Sequence, residues 1–378
     1  MPNKKEVIQS LLSEAHIILN GTGDADIQVA NSGFYDRVLR EGVLGFGESY
    51  MDGWWEVKKP DDLFYRLINA SLHEKVKSWK IVPYILKAKI FNFGKQSKAF
   101  EVGKKHYDIG NTLFQKMLDH RMVYSCGYWK EAENLEEAQE AKLDLICRKL
   151  NLQPDMKVLD VGCGWGSFCK YAAEKYCADV VGITISKEQA ELAKKNCKGL
   201  NVKIKLQDYR DLNAEAFSDN GNLFDRVVSV GMFEHVGYKN YRVFMKTIHR
   251  ILKNNGLFLL HTIGANKSMF TTDPWTHKYI FPNSMLPSIK QIGASIEQLF
   301  VMEDWHNFGP DYDKTLMAWF KNFDHSWDEL KLDYDERFYR MWKYYLLSCA
   351  GSFRAGKNQL WQIVLSKNSI ANGYQSIR

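Results

Sequence analysis

A glycine-rich turn near the middle of the chain has the form of a ligand-binding loop. Gly162, Gly164 and Gly166 form a G-x-G-x-G pattern directly after the apolar stretch 157–161. Glycines lack the Cβ atoms that would prevent close approach of the backbone to a ligand, and the helix predicted after the turn offers free N–H groups. The third glycine of the dinucleotide pattern G-x-G-x-x-G is missing, which disfavours pyrophosphate binding. The turn therefore predicts a nucleoside site.

Polar side chains also follow the other strands predicted in this part of the chain. They are Thr184 and Gln189 after the second strand, Gln207 and Asp208 after the third, Glu234 and His235 after the fourth, and His261 at the end of the fifth. Open α/β sheets bind ligands at the carboxyl ends of their strands. Any one of these residues could simply cap the next helix. Four such strand ends, on one edge with the glycine turn after the first strand, favour a binding site.

The elements that must position these residues alternate between strands and helices. Strands are predicted at residues 157–161, 179–183, 202–206, 225–230 and 256–262, with helical segments such as SKEQAELAKKNC between them. The pattern further predicts a strand near residues 300–307, a helical stretch from about Lys314 to Cys349 and a last strand, LWQIVLS. This alternation is typical of an α/β fold with a doubly wound parallel sheet.

The first hundred residues have a different pattern. Short amphipathic helical segments lie between Lys5 and about Lys98, with a single extended stretch near Asp26 to Val29. We therefore predict a small, mainly helical domain at residues 1–100 and a catalytic domain at residues 101–378. The segment 75–98 mixes seven lysines with aromatic residues, which is typical of a segment at lipid headgroups. A domain-joining helix with a solvated lysine face explains the same pattern.

Composition limits the class of protein. The 378 residues have a formal net charge of +6, with 11 Trp, 19 Tyr and 21 Phe. This charge is too small for the basic surface of a nucleic-acid-binding protein, but it suffices for an anionic membrane. The seven cysteines form no Cys-x-x-Cys pair and no zinc spacing, so we expect reduced thiols in the cytoplasm and no metal site. No apolar run approaches the roughly 20 residues that span a bilayer, so we expect any membrane contact to be peripheral.

The glycine turn resembles the first motif of class I, Rossmann-like S-adenosylmethionine-dependent methyltransferases, and further segments make the resemblance more specific. They are YSCGYW (124–129), DVGCGWGS (160–167), GITIS (182–186), QDYRDL (207–212), GMFEHVG (231–237), LLHTIG (259–264), MEDWHNFG (302–309) and CAGSFR (349–354). With EGVLGFGESYMDGWWE (41–56), they closely resemble the bacterial cyclopropane-fatty-acyl-phospholipid synthases over nearly the whole chain. The N-terminal domain distinguishes that family from the related mycolic-acid cyclopropane synthases.

The resemblance implies an enzyme that forms cyclopropane rings at the cis double bonds of unsaturated acyl chains in membrane phospholipids, with S-adenosylmethionine as donor. The implied cofactor-binding residues are Tyr124, Ser125, Asp160, Gly162, Gly164, Thr184, Gln189, Gln207 and Asp208. Asp160 and the glycine turn would contact the methionine part. Thr184 departs from the pattern, because an acidic residue commonly holds the ribose hydroxyls. The resemblance also implies a homodimer that associates with the inner face of the cell membrane.

The chemistry of the implied reaction requires a base in a dry site. An alkene is a poor nucleophile, and its methylation leaves a carbocation that must lose a proton from the new methyl group. In the family this base is bicarbonate, and the resemblance assigns its pocket to Cys126, Glu234, His261, Ile263 and Tyr312. Glu234 would share a proton with the ion, while His261 and Tyr312 would complete its hydrogen bonds. Cys349 is regarded in the family as a catalytic cysteine, although the chemistry requires no thiol nucleophile and a buried structural thiol is an alternative.

Alternatives stay open at this point. Glu234 could cap a helix, His261 could be a buried core histidine, and Tyr312, in a loop after DWHNFGP, could close a turn. An S-adenosylmethionine-dependent O- or N-methyltransferase of a small metabolite would need no bicarbonate pocket and would have little use for the N-terminal domain. A lipid-binding protein with an inactive nucleoside fold is a third alternative, which is disfavoured by the presence of Asp160, Gly162, Gly164 and Glu234.

Overall fold

A computed structural model of the chain describes residues 3–72, 110–212 and 223–378. Within these ranges the chain forms two compact units, each assembled from separate segments. The first unit contains residues 3–72, Phe270–Pro282 and Gly309–Asn358, and the second contains the remaining described residues. The seven cysteines all lie within these ranges and form no disulfide. Within the described ranges, no helix has the length and apolar character needed to cross a membrane.

The described residues of both units form helices and strands. The helices are α1 (Lys4–Ser13), α2 (Gly33–Glu41), α3 (Val43–Met51), α4 (Pro60–Asn69), α5 (Asn111–Met117), α6 (Leu135–Lys149), α7 (Ser167–Tyr176), α8 (Lys187–Asn196), α9 (Tyr241–Ile251), α10 (Pro274–Tyr279), α11 (Ile289–Ile296), α12 (Pro310–His325), α13 (Trp327–Leu330) and α14 (Glu336–Arg354). The strands are β1 (Gln28–Val29), β2 (Trp55–Glu56), β3 (Lys157–Val161), β4 (Asp179–Thr184), β5 (Val202–Leu206), β6 (Phe224–Val230), β7 (Leu252–Ala265), β8 (Val301–Asn307) and β9 (Asn358–Ser366).

The second unit is built on a seven-stranded sheet with the order β5-β4-β3-β6-β7-β9-β8. The strands from β5 to β7 are parallel, and β8 and β9 are antiparallel to each other. Apolar residues of β3, β6 and β7, such as Leu159, Val227 and Phe258, are fully buried. The strand order reverses between β3 and β6, and such a reversal opens a crevice at the carboxyl ends of the strands. The predicted doubly wound α/β fold is confirmed.

The predicted strands agree closely with the observed ones except at β7. This strand begins at Leu252 and ends at Ala265, whereas the sequence predicts only residues 256–262. The additional residues include the polar run KNN, which has a low intrinsic preference for strands. Their extended form follows from pairing, because Leu252 lies opposite Phe224 of β6.

The first unit is mainly helical, as predicted for the N-terminal part of the chain. Its core contains the fully buried side chains of Phe34, Trp55 and Trp342. The expectation of a single extended stretch was wrong, because β1 pairs with β2 and Val29 lies opposite Trp55. Two residues are too few to show the alternating pattern of a strand, and the pairing joins positions far apart in the sequence.

Helices α4 and α14 pack closely within this unit. A Cβ atom added at Gly351 of α14 would lie 2.6 Å from the backbone oxygen of Asp61 in α4, so only glycine fits there. The guanidinium of Arg354 donates to the Asp61 carboxylate at 2.7 Å, and the rings of Phe64 and Tyr344 meet edge to face at 4.9 Å. The N-terminal helices therefore complete their core with residues from the last quarter of the chain.

Two further expectations concern the first unit. The prediction that Tyr312 lies in a loop was wrong, because α12 begins at Pro310. Proline suits the first position of a helix, since a backbone N–H at that position would have no hydrogen-bond partner within the helix. The helical stretch predicted from Lys314 to Cys349 consists of the three helices α12, α13 and α14. The predicted domain boundary at residue 100 and the lysine-rich segment 75–98 lie outside the described residues, so both stay predictions.

Candidate active site

A pocket lies at the carboxyl ends of β3, β4, β5 and β6, where the strand order reverses. Its walls include the glycine turn after β3, Thr184 at the end of β4, residues 207–210 after β5 and residues 230–232 around the end of β6. Open α/β sheets bind ligands at this position. The pocket coincides with the predicted nucleoside site.

All nine residues predicted to bind the cofactor line this pocket. They are Tyr124, Ser125, Asp160, Gly162, Gly164, Thr184, Gln189, Gln207 and Asp208. They come from the ends of the three strands β3, β4 and β5, from α8 and from the segment before α6. Their contacts with the cofactor stay a prediction, but the fold brings every one of them to a common cavity.

The glycine turn leaves room for a ligand at one of its positions. Gly162 and Gly164 have φ values of +88° and +53°, in the left-handed region that favours glycine. A Cβ atom at Gly162 would lie 2.7 Å from the side chain of Met232, whereas a Cβ at Gly164 would meet no protein atom within 4 Å. Of these two glycines, Gly164 is therefore the one whose backbone a ligand can approach closely.

Asp160 offers a buried carboxyl group at the end of β3. It is 2% exposed, and the thiol of Cys169 donates to it at 3.4 Å. Burial raises the pKa of Asp160 to about 7. A cationic ligand group beside it would favour the ionised carboxylate. This site suits a ligand that contains an ammonium group, as S-adenosylmethionine does.

Two other predicted binding residues are already hydrogen-bonded within the protein. The Thr184 hydroxyl donates to Oε1 of Gln189 at 2.9 Å. The Asp208 carboxylate accepts from the backbone N–H and from Nε and Nη2 of Arg210 at 2.6–2.9 Å. Both side chains are thereby held in fixed orientations at the wall of the pocket.

Glu234 lies in a short turn of 3₁₀ helix, Phe233–His235, that follows β6. Its Oε1 accepts a hydrogen bond from the backbone N–H of Ile263 at 2.7 Å, while its Oε2 is buried and has no partner. Burial raises the pKa of Glu234 to about 7, although the Ile263 N–H acts in the opposite direction. A buried carboxyl oxygen without a partner is rare in folded proteins and suits a small ligand.

His261 lies in β7, opposite Val230, and is 1% exposed. Its Nδ1 lies 3.3 Å from Nε2 of Gln362 in β9, and its own Nε2 is buried without a partner. Burial and the charges of Lys142 and Lys149 hold the pKa of His261 well below its ordinary value. The imidazole is therefore neutral at physiological pH, with one nitrogen free to bind a ligand.

The remaining predicted catalytic residues fall into both units. Cys126 is buried in the second unit, and its thiol donates to the Gly127 carbonyl at 3.1 Å. Tyr312 and Cys349 belong to the first unit. The Tyr312 ring packs against that of Phe353 at 4.5 Å. Burial and Asp273 raise the pKa of the Cys349 thiol to about 12, which favours a structural role over a nucleophilic one. Participation of Tyr312 and Cys349 in catalysis stays a prediction.

Sequence reasoning missed three buried polar residues around this site. Gln139 and Lys142 of α6 donate to the backbone carbonyl and to the hydroxyl of Ser125 at 2.8 and 2.9 Å. Gln362 is the neighbour of His261 described above. In LEEAQEAKLDL polar residues occupy most positions, so nothing distinguishes Gln139 and Lys142 from solvated neighbours. Gln362 offers a weak signal, since it is a lone polar residue in the apolar strand LWQIVLS.

Comparison with known proteins identifies the family. The family model described as mycolic acid cyclopropane synthetase matches residues 94–363. The chain belongs to this family. It is also 53% identical over 377 residues to cyclopropane-fatty-acyl-phospholipid synthase of Escherichia coli K12, covering 100% of this chain and 96% of the relative. The resemblance inferred from the sequence is confirmed, and so is the expectation of an S-adenosylmethionine-dependent enzyme of the cyclopropane-fatty-acyl-phospholipid synthase kind.

Solved structures of cyclopropane synthases match the greater part of the chain. A cyclopropane synthase from Mycobacterium tuberculosis is 32% identical with a TM-score of 0.65, covering 71% of this chain and 98% of its own. A mycolic acid cyclopropane synthase complexed with SAH and CTAB is also 32% identical, with a TM-score of 0.64 and coverages of 71% and 98%. A coclaurine N-methyltransferase at 21% identity, with a TM-score of 0.68 and coverages of 86% and 99%, shares the fold.

The raised pKa of Glu234 makes the stability of the ligand-free protein depend on pH. The folded state holds this proton more tightly than the unfolded state, in which the pKa is 4.5, so the stabilisation is complete below pH 4.5 and is lost as the pH rises to about 7. At about 1.4 kcal/mol for each pKa unit, the loss is about 3 kcal/mol. Glu234→Gln removes this titration. We expect urea unfolding to show the variant gaining up to about 3 kcal/mol relative to the wild type between pH 5 and pH 8.

A constant difference between the two proteins across this pH range would contradict the prediction, because it would mean that the Glu234 carboxyl titrates as an exposed one. The comparison needs no cofactor and no activity. It therefore tests the environment of Glu234 independently of its role in catalysis.

Proposed function

We propose that the enzyme transfers a methylene group from S-adenosylmethionine to the cis double bonds of unsaturated acyl chains in membrane phospholipids. The observation that supports this substrate is the extent of the similarity. The phospholipid synthase of Escherichia coli matches 100% of the chain, whereas the mycolic acid synthases match about 70% of it. The family model begins at residue 94, so α1 to α4 lie outside it. In this proposal these helices distinguish a phospholipid enzyme from its mycolic acid relatives.

The pocket fits S-adenosylmethionine in two independent respects. Gly164 leaves open space where a Cβ atom would otherwise stand, and the buried Asp160 suits the ammonium of the amino-acid end. When bound, the sulfonium supplies an electrophilic methyl group to the alkene. Thr184 and Gln189 would then face the ribose, although neither side chain is acidic.

The base for the second half of the reaction is proposed to be bicarbonate. Glu234 Oε2 and His261 Nε2 are buried atoms without partners, and both side chains are held by neighbouring residues of the sheet. A carboxyl with a pKa of about 7 can share a proton with an anion, and a neutral imidazole can donate or accept one hydrogen bond. Ile263 would contribute through its backbone N–H, which orients Glu234.

Exclusion of water is the other requirement. Apolar and aromatic side chains surround the pocket, including Tyr124, Trp165 and Phe168. Their aromatic faces can stabilise a neighbouring cation, and their apolar surface disfavours water beside a carbocation. The residues of the chain would thus hold the reactants and keep the site dry, while the proton from the new methyl group leaves toward the Glu234 and His261 side chains.

Mass spectrometry of lipids tests the proposal. In cells that express the protein, acyl chains heavier by one CH₂ should appear as the corresponding alkene signal declines. Cells that express Asp160→Ala provide the matched control. An unchanged lipid profile beside a methylated small metabolite would support the alternative of an O- or N-methyltransferase.

Docking on an anionic membrane is proposed for the segment 75–98, which lies outside the described residues. We predict that Lys80→Glu, Lys87→Glu and Lys89→Glu together weaken binding to anionic vesicles by about a hundredfold, since each lysine near such a surface contributes about 1 kcal/mol. Vesicle sedimentation measures this effect. Charge reversal of the exposed residues Lys194, Lys198 and Lys203 controls for net charge. Equal sedimentation of the triple variant and the wild type would show that the segment is only a linker.

Two further proposals follow from the family resemblance. We propose that the enzyme acts as a homodimer, and that it associates peripherally with the inner face of the cell membrane. Sedimentation analysis of the purified protein and fractionation of cells address these two points separately.

Higher salt should release the enzyme from vesicles, because screening shortens the reach of surface charges.

A further inference from the structure

Lys142 is a lysine in the interior of the second unit, at the wall of the cofactor pocket. It is 0% exposed, and its ammonium donates to the hydroxyl of Ser125 at 2.9 Å. Burial lowers the pKa of Lys142 to about 8, against the influence of Asp119, Cys126 and Asp160. At neutral pH the side chain is therefore still mainly charged, although its hydrogen-bond partner among the described residues is a neutral hydroxyl.

The other basic residues that line the pocket are either paired with a carboxylate or neutral. Arg210 is paired with the carboxylate of Asp208 at 2.6 Å. Burial lowers the pKa of His235 to about 4, so it is neutral. Among the lining residues, all of which belong to the described part of the chain, Lys142 is the cation without an ion-paired carboxylate. Within the described residues, the pocket thus contains one positive charge that has no carboxylate at ion-pair distance, although Asp119 and Asp160 act on it from farther away.

A buried ammonium without an anionic partner destabilises the folded protein, unless a ligand supplies the missing charge. The amino-acid end of S-adenosylmethionine has both an ammonium and a carboxylate. Asp160 offers the negative group for the first, and Lys142 offers the positive group for the second. We propose that Lys142 binds the carboxylate of the amino-acid end and so selects ligands in which that end is intact. This inference rests on the proposed use of S-adenosylmethionine.

The surroundings of Lys142 support a positioning role for Ser125. The Ser125 hydroxyl accepts from Lys142, and the Ser125 carbonyl accepts from Gln139 of the same helix at 2.8 Å. Two residues one turn apart on α6 thereby fix the segment that forms this part of the wall. Ser125 orients the ammonium toward the pocket, and the carboxylate of the ligand takes the remaining donors. Ser125→Ala should weaken binding of the carboxylated ligand less than replacement of Lys142 does.

A comparison of two ligands in two proteins tests the inference. S-adenosylmethionine and its decarboxylated analogue both contain the sulfonium, the ammonium and the nucleoside, and they differ in the carboxylate. Isothermal titration calorimetry of the wild type should show at least about tenfold tighter binding of the carboxylated ligand, as expected for a buried charge pair. In Lys142→Met this preference should fall to within about twofold, while the affinity for the decarboxylated ligand is retained.

Each other outcome overturns the inference. If the wild type binds both ligands equally, the carboxylate has no positive partner, and this result needs no variant. If Lys142→Met weakens the binding of both ligands to the same degree, the lysine only supports the fold. If the methionine variant does not fold, Lys142→Gln takes its place in the same comparison. If neither ligand binds the wild type, the proposed function fails and this inference fails with it. Binding without discrimination overturns the inference alone.

Discussion

Glu234→Gln and His261→Ala should each reduce turnover by about a hundredfold or more, with unchanged affinity for S-adenosylmethionine. Each change removes one or two hydrogen bonds to an ion in a dry site, which corresponds to about 2 to 4 kcal/mol of the activation barrier. Cofactor affinity should persist, because neither side chain is among those that line the nucleoside pocket. Steady-state rates on vesicles and calorimetry with the cofactor measure the two quantities separately.

The bicarbonate requirement provides a second measurement on the same variants. Wild-type activity should fall when bicarbonate is removed from the buffer and should return when it is restored. The variants should respond weakly to added bicarbonate, since they lack a side chain that holds it. His249→Ala, which changes a half-buried histidine in α9, controls for loss of an imidazole. Full wild-type activity under rigorously bicarbonate-free conditions would overturn the proposed base.

Asp160→Ala should abolish measurable cofactor binding, and Gly164→Ala should weaken it by at least about a hundredfold. The first change removes the buried carboxylate that suits the ligand's ammonium. The second adds a Cβ atom that would have no protein atom within 4 Å. The group that this Cβ displaces is therefore the ligand. Gly162→Val is a poorer test than the sequence suggests, because its Cβ would first collide with Met232.

Gly199→Ala is the matched control for the glycine change. Gly199 also has a positive φ, +86°, and a Cβ there would also meet no atom within 4 Å, but it does not line the pocket. Both alanine variants should lose similar stability, about 1 kcal/mol, from the strained backbone. Calorimetry should then show reduced affinity in Gly164→Ala alone. Unchanged affinity in a folded Gly164→Ala or Asp160→Ala protein would refute the site assignment.

The parallel sheet could be predicted because its strands are short apolar or alternating runs that end in glycine or polar residues. The runs 157–161 and 202–206 coincide with β3 and β5. The start of β7 and the pairing of β1 with β2 could not be predicted. In both cases the extended form depends on a partner strand elsewhere in the chain, and a local pattern contains no information on that partner.

The cofactor site could be predicted for a related reason. The carboxyl ends of parallel strands must meet at one edge, so residues such as Thr184 and Asp208 are placed by topology alone. The base site could be predicted only in part. Glu234 is held by the backbone N–H of Ile263, and residue types do not reveal which backbone group a side chain will contact. Lys142 was missed, since a lysine on a mostly charged helix is ordinarily solvated. Only packing of α6 against the segment around Ser125 buries it.

The close packing of α4 against α14 has a consequence for synthesis of the protein in the cell. A ribosome releases the N-terminal helices first, but the surface that covers them belongs to residues near Gly351. Until those residues have been translated, apolar side chains such as Phe64 lack their native neighbours. Long-range contacts of this kind slow folding and leave the nascent chain prone to aggregation. The N-terminal helices should therefore depend on chaperones during translation, and a fragment of residues 1–100 should not fold independently.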